Sequence, residues 1–292
     1  TMILLNGKKY YVSSAYVTSK KPASAGAVQT TSQTAAGAQT SGGTAIALSS
    51  NYKYANYSKI NSGTATLYRS TASNKKNKVV CVNAGHGTNG GGSVKTQCHP
   101  DGSAKVTGGT TGAGATSAVA VSSGMTFADG TAESKVTLAM AKVLKTKLLN
   151  AGYDVLMIRE SDDVQLDNIA RTVIANNNAD CHIALHWDST SSNKGAFFMS
   201  VPSNATYRAM EPVASHWKQH NQLGESLISG LKSAGVKIYS KGSMEMDLTQ
   251  TSYSTIPSVD IELGDKASDH SGAMLETLAN GLLAGVNTFF GQ

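Results

Sequence analysis

The chain has 292 residues, a formal net charge of +6 and a hydrophobic content of 40%. This apolar content is enough for the core of one or two domains, and the positive charge favours an anionic partner such as an acidic polymer. The basic residues are scattered, and the one cluster, at 75–78, lacks interleaved aromatic residues, which argues against nucleic acid binding. No run of eighteen apolar residues exists, so no membrane span is predicted.

The first 77 residues divide into three segments of different composition. Residues 1–19 contain Asn6-Gly7 between two β-rich runs, which predicts a hairpin that resembles the last strands of a bacterial SH3-like module. Residues 20–50 are mainly Ser, Thr, Ala, Gly and Gln and are predicted to be a flexible linker. Residues 51–77 regain Tyr, Ile and Leu and are predicted to be an extension that packs on the next domain. The apolar run at the start is too short for a signal peptide, so we expect the chain to start inside a longer precursor.

From residue 78 onwards, strand and helix patterns alternate. Apolar runs predict five strands, at 79–84, 153–159, 181–186, 196–201 and 258–264. Apolar residues at helical spacing predict four helices, at 131–150, 164–178, 213–234 and 273–290. This alternation predicts an α/β fold with a largely parallel, twisted sheet and helices on both faces. A Gly/Ser/Thr-rich insert at 88–130 follows the first strand and is compatible with a lid, a substrate collar or a surface excursion.

The first of these strands ends in a Gly-His-Gly turn. The run from Val79 to Ala84 is apolar and mostly β-branched, and Gly85-His86-Gly87 then breaks it. Ligands of open α/β sheets bind just outside the carboxyl ends of the strands. His86 is therefore a candidate residue of a functional site.

Glu133 lies in the first turn of a predicted helix and on its apolar face, because it precedes Val136 by three residues and Met140 by seven. A carboxylate on that face is costly unless it is paired or bound to a metal. An acidic residue in the first turn also interacts favourably with the helix dipole. A structural role and a functional role for Glu133 are therefore both open.

A second histidine, His186, ends the predicted strand at 181–186. His182 lies four residues earlier, which on a strand separates the two Cα atoms by about 13 Å, at roughly 3.3 Å per residue, so the two cannot share a metal. His186 is nearer the carboxyl end and is the better candidate ligand. We expect His182 to be a core histidine whose ring nitrogens have hydrogen-bond partners.

Two carboxylates, Asp260 and Glu262, project from one face of the last predicted strand, because side chains alternate along a strand. Glu262 is nearer the carboxyl end and is the one placed to act at a site, whereas Asp260 is expected to meet an arginine or a backbone amide. Two histidines and a glutamate are a known ligand set for catalytic zinc, which lowers the pKa of water to about 7. A further carboxylate can transfer the proton of that water to a leaving nitrogen.

The segment 78–292 resembles the zinc-dependent N-acetylmuramoyl-L-alanine amidases of the bacterial cell wall. The matching pieces are Val82-Asn83-Ala84-Gly85-His86-Gly87, Glu133 at a helix start, Val155-Leu156-Met157-Ile158-Arg159 with Ser161-Asp162, Arg171 with Ala175-Asn176, Ile183-Ala184-Leu185-His186, and Pro257-Ser258-Val259-Asp260-Ile261-Glu262. The resemblance implies that His86, Glu133 and His186 bind Zn²⁺ and that Glu262 is the catalytic carboxylate. It also implies hydrolysis of the amide that joins the lactyl group of N-acetylmuramic acid to L-alanine of the stem peptide.

The chain departs from the family pattern at several positions, which bear on rate and substrate choice more than on the reaction. Asn83-Ala84 replaces the usual Asp-Pro, and Asp260 replaces an apolar residue. We expect a secreted monomer that hydrolyses peptidoglycan outside the cytoplasm, at the cell wall. Two alternatives are a zinc peptidase that cuts within the stem peptide and a non-catalytic wall-binding protein.

The remaining histidines and the cysteines receive structural interpretations. His99 is expected to be a loop residue, His216 and His220 to be solvated or wall-contacting, and His270 to neighbour a helix cap. Cys81 and Cys181 each precede a candidate histidine by five residues. If their strands are neighbours with the histidines level, the two cysteines should also lie close together.

Overall fold

The computed structural model describes residues 2–5, 8–11 and 42–292, and the chain divides into two compact units with the boundary after Gly37. In the first unit, β1 (Met2–Leu5) and β2 (Lys8–Tyr11) form an antiparallel hairpin, as the sequence predicts. Its interpretation as an SH3-like remnant stays a prediction. Most of the predicted linker lies outside the described residues.

The second unit contains ten strands and six α-helices among its described residues. The strands are β3 (Thr44–Ala47), β4 (Thr64–Tyr68), β5 (Val79–Ala84), β6 (Lys95–Gln97), β7 (Ser117–Val119), β8 (Asp154–Met157), β9 (Cys181–Asp188), β10 (Ala196–Ser200), β11 (Ile238–Glu245) and β12 (Ser258–Asp265). The helices are α1 (Glu133–Asn150), α2 (Asn168–Asn178), α3 (Ala205–Ala209), α4 (Val213–Ser233), α5 (Thr249–Tyr253) and α6 (Gly272–Phe290). None of the described helices is both long and apolar enough to cross a membrane.

Eight of these strands form one mixed sheet in the order β11-β10-β12-β9-β5-β8-β4-β3, while β6 and β7 pair separately within the insert. The four central strands β12, β9, β5 and β8 are mutually parallel, and β10 and β4 flank them in the antiparallel direction. Their carboxyl ends therefore meet at one edge of the sheet. The predicted α/β fold with a largely parallel sheet is confirmed.

Helices cover both faces of the sheet, because alternate side chains of the buried strands point to opposite sides. On one face, Val80 and Val82 belong to an apolar core that includes Leu144 of α1 and Leu282 of α6. On the other face, Leu156 of β8 packs in a smaller core with residues of α2. The site described below lies where this second face meets the carboxyl edge.

Three features of the sheet differ from the prediction. The predicted linker 20–50 is wrong at its end, because Thr44–Ala47 forms β3 and pairs with β4. The predicted extension 51–77 contributes β4, which joins the main sheet through β8. A further strand, β11 (Ile238–Glu245), was not predicted, because it is a sheet edge whose polar Ser240 and Lys241 interrupt the apolar pattern. Edge strands are hard to recognise because one side faces solvent.

The two strand cysteines do not form the expected level pair. The strands β5 and β9 are neighbours, but Cys81 is opposite His182 and Cys181 is opposite Val80. This offset of one residue directs the two thiols to opposite faces, where they join different cores. Both cysteines are free and buried.

Candidate metal centre

Three side chains from distant parts of the chain meet at the carboxyl edge of the sheet. His86 follows β5, Glu133 opens α1 and His186 lies near the end of β9. Nε2 of His86 lies 2.9 Å from Oε1 of Glu133, and Nδ1 of His186 lies 3.2 Å from the same oxygen and 3.1 Å from Nε2 of His86. The structure thus brings together the three residues that the sequence analysis selected as candidate ligands.

The turn after β5 holds the ring of His86 in one orientation. His86 has a φ of +64°, in the left-handed region that non-glycine residues rarely adopt and that is enriched at functional sites. Its Nδ1–H donates to the carbonyl oxygen of Ser122 at 2.9 Å, which leaves the lone pair of the neutral ring on Nε2, facing Glu133. Ser122 belongs to the insert, so the insert also orients a candidate ligand, a role beyond the predicted lid or substrate collar.

Glu133 is 2% exposed, and backbone N–H groups hold both of its carboxylate oxygens. The amide of Trp187 donates to Oε1 at 3.0 Å, and the amide of Met125 donates to Oε2 at 2.8 Å. Burial raises the pKa of this carboxyl, but the hydrogen bonds with His186 and His86 outweigh burial, and the pKa lies well below its usual value. Glu133 is therefore an anion that faces the ring nitrogens of two histidines.

Two glycines leave room for the imidazole rings. A Cβ atom at Gly85 would lie 2.2 Å from Cε1 of His186. A Cβ atom at Gly124 would lie 2.7 Å from Cδ2 of His86 and 2.9 Å from Oε2 of Glu133. Both contacts are closer than packed atoms allow, so neither position accepts a side chain unless a candidate ligand moves.

Two buried arginines fix the backbone around His86. Arg159 donates to the carbonyl oxygens of Ala84 and Gly85 through Nε at 3.0 Å and Nη2 at 2.9 Å, and Arg171 donates to the carbonyl oxygen of His86 through Nη2 at 2.7 Å. Each arginine is 1% exposed, and neither forms an ion pair within the described part of the chain. Burial lowers the pKa of Arg159 to about 10 and that of Arg171 to about 9. Their guanidinium N–H groups hold the backbone of the turn after β5 in place.

Two further carboxylates lie beside the cluster on β12. In the parallel ladder between β9 and β12, Glu262 is opposite His186 and Asp260 is opposite Ala184, so both carboxylates lie on the same face as His186. Oδ1 of Asp260 and Oε2 of Glu262 are buried without a hydrogen-bond partner among the described residues. Burial raises the pKa of Glu262 to about 8 and that of Asp260 to about 6. The predicted arginine or backbone amide partner of Asp260 is therefore wrong.

The cluster opens into a cleft of about 530 Å³. Its floor is the sheet face with Asp260 and Glu262, and Arg171 of α2 and Gln250 of α5 border it. The insert forms a further wall, to which it contributes Lys105, Gly109, Thr110, Thr111 and residues 121–125. The insert is therefore part of the site and not a surface excursion.

One buried carboxylate, Asp247, attaches the insert to the loop after β11. It accepts hydrogen bonds from the amide N–H groups of Val106 at 2.8 Å and Thr107 at 2.9 Å, and from the ring of His99 at 2.9 Å. It also forms an ion pair with Lys105. Burial alone would raise the pKa of Asp247, but these contacts hold it well below its usual value. The expected loop residue His99 is thus a buried part of this attachment.

The other histidines lie outside the cluster. His182 is fully buried, as predicted, but the prediction that its ring is hydrogen-bonded is wrong, because both ring nitrogens lack a partner among the described residues. The prediction for His220 is wrong, because it is 1% exposed and its Nδ1 accepts the amide N–H of Ser258 at 3.0 Å. The pattern of α4 could have indicated this, since His220 precedes the buried Leu223 and Leu227 by three and seven residues.

The cluster fits a metal ion of tetrahedral preference. Its three ligand atoms lie 2.9, 3.1 and 3.2 Å apart. A tetrahedral ion with bonds of about 2.0–2.1 Å requires ligand separations of about 3.3 Å, so shifts of a few tenths of an ångström suffice. The donor to Nδ1 of His86 is a backbone carbonyl, the kind of outer partner that metal-bound histidines use.

The fold and the site together are those of an α/β protein with a candidate metal site of two histidines and one glutamate at the carboxyl edge of its sheet. The family model for N-acetylmuramoyl-L-alanine amidases matches residues 80–284, which is more than half of the chain. The chain therefore belongs to the N-acetylmuramoyl-L-alanine amidase family, whose reaction is hydrolysis of a peptidoglycan amide. No curated protein sequence matches the chain.

Solved structures of amidases share the fold. Ami1 from Mycobacterium smegmatis, an N-acetylmuramyl-L-alanine amidase, is 20% identical, with a TM-score of 0.56 over 75% of this chain and 99% of the other. The apo form of Ami1 from Mycobacterium abscessus is 20% identical, with a TM-score of 0.55 over 73% and 98%. The N-acetylmuramoyl-L-alanine amidase from Clostridium difficile 630 is 18% identical, with a TM-score of 0.53 over 74% and 97%. At these identities the likeness concerns the fold alone.

Proposed function

We propose that the chain is a zinc-dependent amidase that cleaves the bond between the lactyl group of N-acetylmuramic acid and L-alanine of the stem peptide. The observation that carries the proposal is the cluster of His86, Glu133 and His186, with the carboxylate of Glu262 directly opposite His186 on the neighbouring strand. The cluster lines a cleft of about 530 Å³, which provides space for a substrate beside it.

The chemistry of the donor set supports zinc as the metal. Nε2 of His86, Nδ1 of His186 and one oxygen of Glu133 combine two nitrogen donors with a carboxylate, a set that catalytic zinc sites use while one coordination position stays open. Zinc held there would polarise the scissile carbonyl and make water nucleophilic near neutral pH.

Within this scheme the residues of the chain have separate roles. His86, Glu133 and His186 hold the ion, and the amides of Met125 and Trp187 hold Glu133. A cation held beside Glu262 would lower its raised pKa, so that its carboxylate takes the proton of the attacking water and delivers it to the leaving nitrogen of L-alanine. Its Oε2 has no competing partner among the described residues, so it is available for this proton transfer.

The place of action and the assembly of the protein are part of the proposal. We propose that it acts at the cell wall after secretion and as a monomer, with peptidoglycan as its partner. The second compact unit, from Ala38 onwards, is proposed to be the catalytic domain, since it contains the sheet and every residue of the cluster.

The test is product analysis with metal control. The purified chain is freed of metal with a chelator, reloaded with Zn²⁺, Mg²⁺ or no metal, and incubated with purified peptidoglycan. We expect stem peptides with a free N-terminal alanine and intact glycan strands, in the zinc-loaded sample only. Fragments cut inside the peptide would instead identify a peptidase, and zinc binding without any cleavage would identify a wall-binding protein.

A further inference from the structure

Asp260 is a carboxylate of the cleft that the proposed mechanism leaves unused. It lies two residues before Glu262 on β12 and on the same face of the sheet, so their Cα atoms are about 6.6 Å apart at 3.3 Å per residue. Asp260 lines the cleft, and it is outside the ligand cluster. A carboxylate at such a position is unfavourable unless a partner compensates its charge.

The neighbours of Asp260 across the sheet leave space above it. Ala184 is its partner on β9, and Asn83 is the partner of Ala184 on β5, so a methyl group and an amide continue the cleft floor. Asn83 is oriented by Arg171, whose Nη1 donates to its Oδ1 at 3.2 Å. Met199 lines the same part of the cleft. These groups offer Asp260 no positive charge.

The cations that line the cleft are already engaged elsewhere. Arg171 donates to the carbonyl oxygens of Leu166 and His86, and Lys105 pairs with Asp247. No described residue forms a hydrogen bond or an ion pair with the side chain of Asp260, and its Oδ1 is buried. The ring of His186 stabilises the charge of Asp260 without a hydrogen bond and is itself a proposed metal ligand, so a molecule that enters the cleft can supply the direct partner that Asp260 lacks.

The other carboxylates of the cleft can each be assigned a direct counter-charge, whereas Asp260 cannot. Asp188, another carboxylate of the cleft, forms an ion pair with Lys194. A divalent ion in the cluster would balance the charges of Glu133 and Glu262. Asp260 is the remaining carboxylate of the cleft without an ion-pair partner among the described residues. The cleft therefore favours a cationic group at this position, although the whole chain is basic.

We propose that Asp260 binds a primary ammonium group of the substrate, one side-chain position along the same face of β12 from the carboxylate that handles the scissile amide. The proposal rests on the proposed amidase function and adds a specificity determinant to it. Peptidoglycan can present a primary amine in two places: on an amino sugar that lacks its acetyl group, and on the side chain of a diamino acid in the stem peptide. Both carry the same charge and donors, and both suit one unpaired carboxylate.

The test compares soluble peptidoglycan fragments that differ only in their free amines. One fragment has both amine positions acetylated, one has only the sugar amine free and one has only the peptide amine free. We expect kcat/KM for one amine-bearing fragment to exceed that for the fully acetylated fragment by about tenfold or more, the usual size of a charged hydrogen bond. Which fragment is preferred identifies the source of the ammonium group.

The variant Asp260→Asn keeps the shape of the side chain and removes its charge. We expect it to lose the preference, so that the ratio of kcat/KM between the amine-bearing and the acetylated fragment falls to about one whatever its absolute rate, whereas a merely structural role would lower both values and keep their ratio. Asp260→Leu is a second variant in case the asparagine variant does not fold. Asp269→Asn removes the same charge from an exposed position outside the cleft and should keep the preference. A preference that is absent from the unaltered chain, or that survives in both Asp260 variants, overturns the proposal.

Calorimetry separates this proposal from the proposed function. The zinc-loaded Glu262→Gln variant is titrated with the same three fragments, so that affinity is measured without turnover. Tighter binding of an amine-bearing fragment, lost in the double variant with Asp260→Asn, supports the ammonium site even if no fragment is cleaved. Equal affinity for all three fragments contradicts it, even if cleavage is efficient.

Discussion

The two ends of the cleft differ in how their polar atoms are satisfied. At the metal end, Glu133 uses both carboxylate oxygens for backbone amides, and Nδ1 of His86 has a carbonyl partner. At the unpaired end, which begins directly opposite His186 on β12, Asp260 and Glu262 have no hydrogen-bond partner among the described residues. Partners fix the geometry of a side chain, whereas an unpaired buried carboxylate is unfavourable until something binds it. The first end is thus built to hold an ion in place and the second to meet groups that arrive with the substrate.

Removal of a metal-end ligand should have the largest effect. His186→Ala removes one of three donors, and we expect loss of bound zinc and a fall in activity of at least about 10³-fold, because several kcal/mol of transition-state stabilisation are lost. Metal content by mass spectrometry and release of dye from labelled peptidoglycan measure both. His216→Ala, which changes a histidine outside the cluster, should keep zinc and activity. Full zinc occupancy in His186→Ala would contradict the ligand assignment.

Neutralising Glu262 should lower activity without lowering zinc content. Glu262→Gln removes the proton acceptor but no proposed ligand, so we expect normal zinc content and an activity loss of about 10²–10⁴-fold, the range of general acid–base catalysis. Steady-state kinetics on the zinc-loaded variant measure this, with KM little changed. If Glu262→Gln were fully active, the proton-transfer role would have to be abandoned.

The arginines around His86 should have an intermediate effect at the metal end. Arg171→Lys keeps the charge but cannot reproduce the fork that reaches the carbonyl oxygens of Leu166 and His86, so we expect zinc affinity to fall by about 10–100-fold. Competition with a chromogenic chelator measures the affinity. Arg208→Lys is the matched control, because Arg208 packs on Trp217 outside the cleft. Equal zinc affinity in both variants would show that the turn does not need Arg171.

The attachment of the insert should affect the unpaired end more than the metal end. Asp247→Asn weakens the contacts with His99 and Lys105, and we expect a loss of stability of about 3 kcal/mol, as for a broken buried charge pair. KM should rise while zinc content stays normal. Denaturant unfolding and kinetics measure these quantities. A rise in KM equal to that of Asp269→Asn would exclude a role of this wall in substrate binding.

Acid should weaken the fold through histidines that are buried as neutral rings. Burial lowers the pKa of both His182 and His220 to about 3, against about 6.5 in the unfolded chain. Below about pH 6.5 these histidines therefore bind more protons in the unfolded state than in the folded state. Their contribution to the free energy of unfolding is fully present above that pH and is lost as the pH drops towards 3. Denaturant midpoints between pH 7 and pH 4 measure this. His182→Phe should reduce the slope, and an unchanged slope would exclude His182 as a contributor.

The central strands and the candidate ligands could be read from local patterns. The strand before His86 and the strand that carries His186 are buried, so their apolar runs are unmistakable, and Glu133 stands out because a charge interrupts the apolar face of α1. The edge strands β3 and β11 lack this signal, since few of their residues face the core. The solvated role predicted for His220 is wrong for a different reason. Helical spacing places His220 on the buried face of α4 with Leu223 and Leu227, whereas the prediction placed it on the solvated face.

The sequence by itself determined the α/β class and the residue types of the candidate site. Apolar runs indicate buried strands and helices, and glycines indicate the turns between them, so both can be recognised from local sequence. Only the tertiary structure decided which groups surround the site residues. The insert contributes Ser122 to His86 and Met125 to Glu133, and the register of β12 leaves Asp260 without a partner in the described part of the chain. Such contacts join residues that are far apart in the chain, and their geometry depends on strand register and loop closure, which no local pattern of residues encodes.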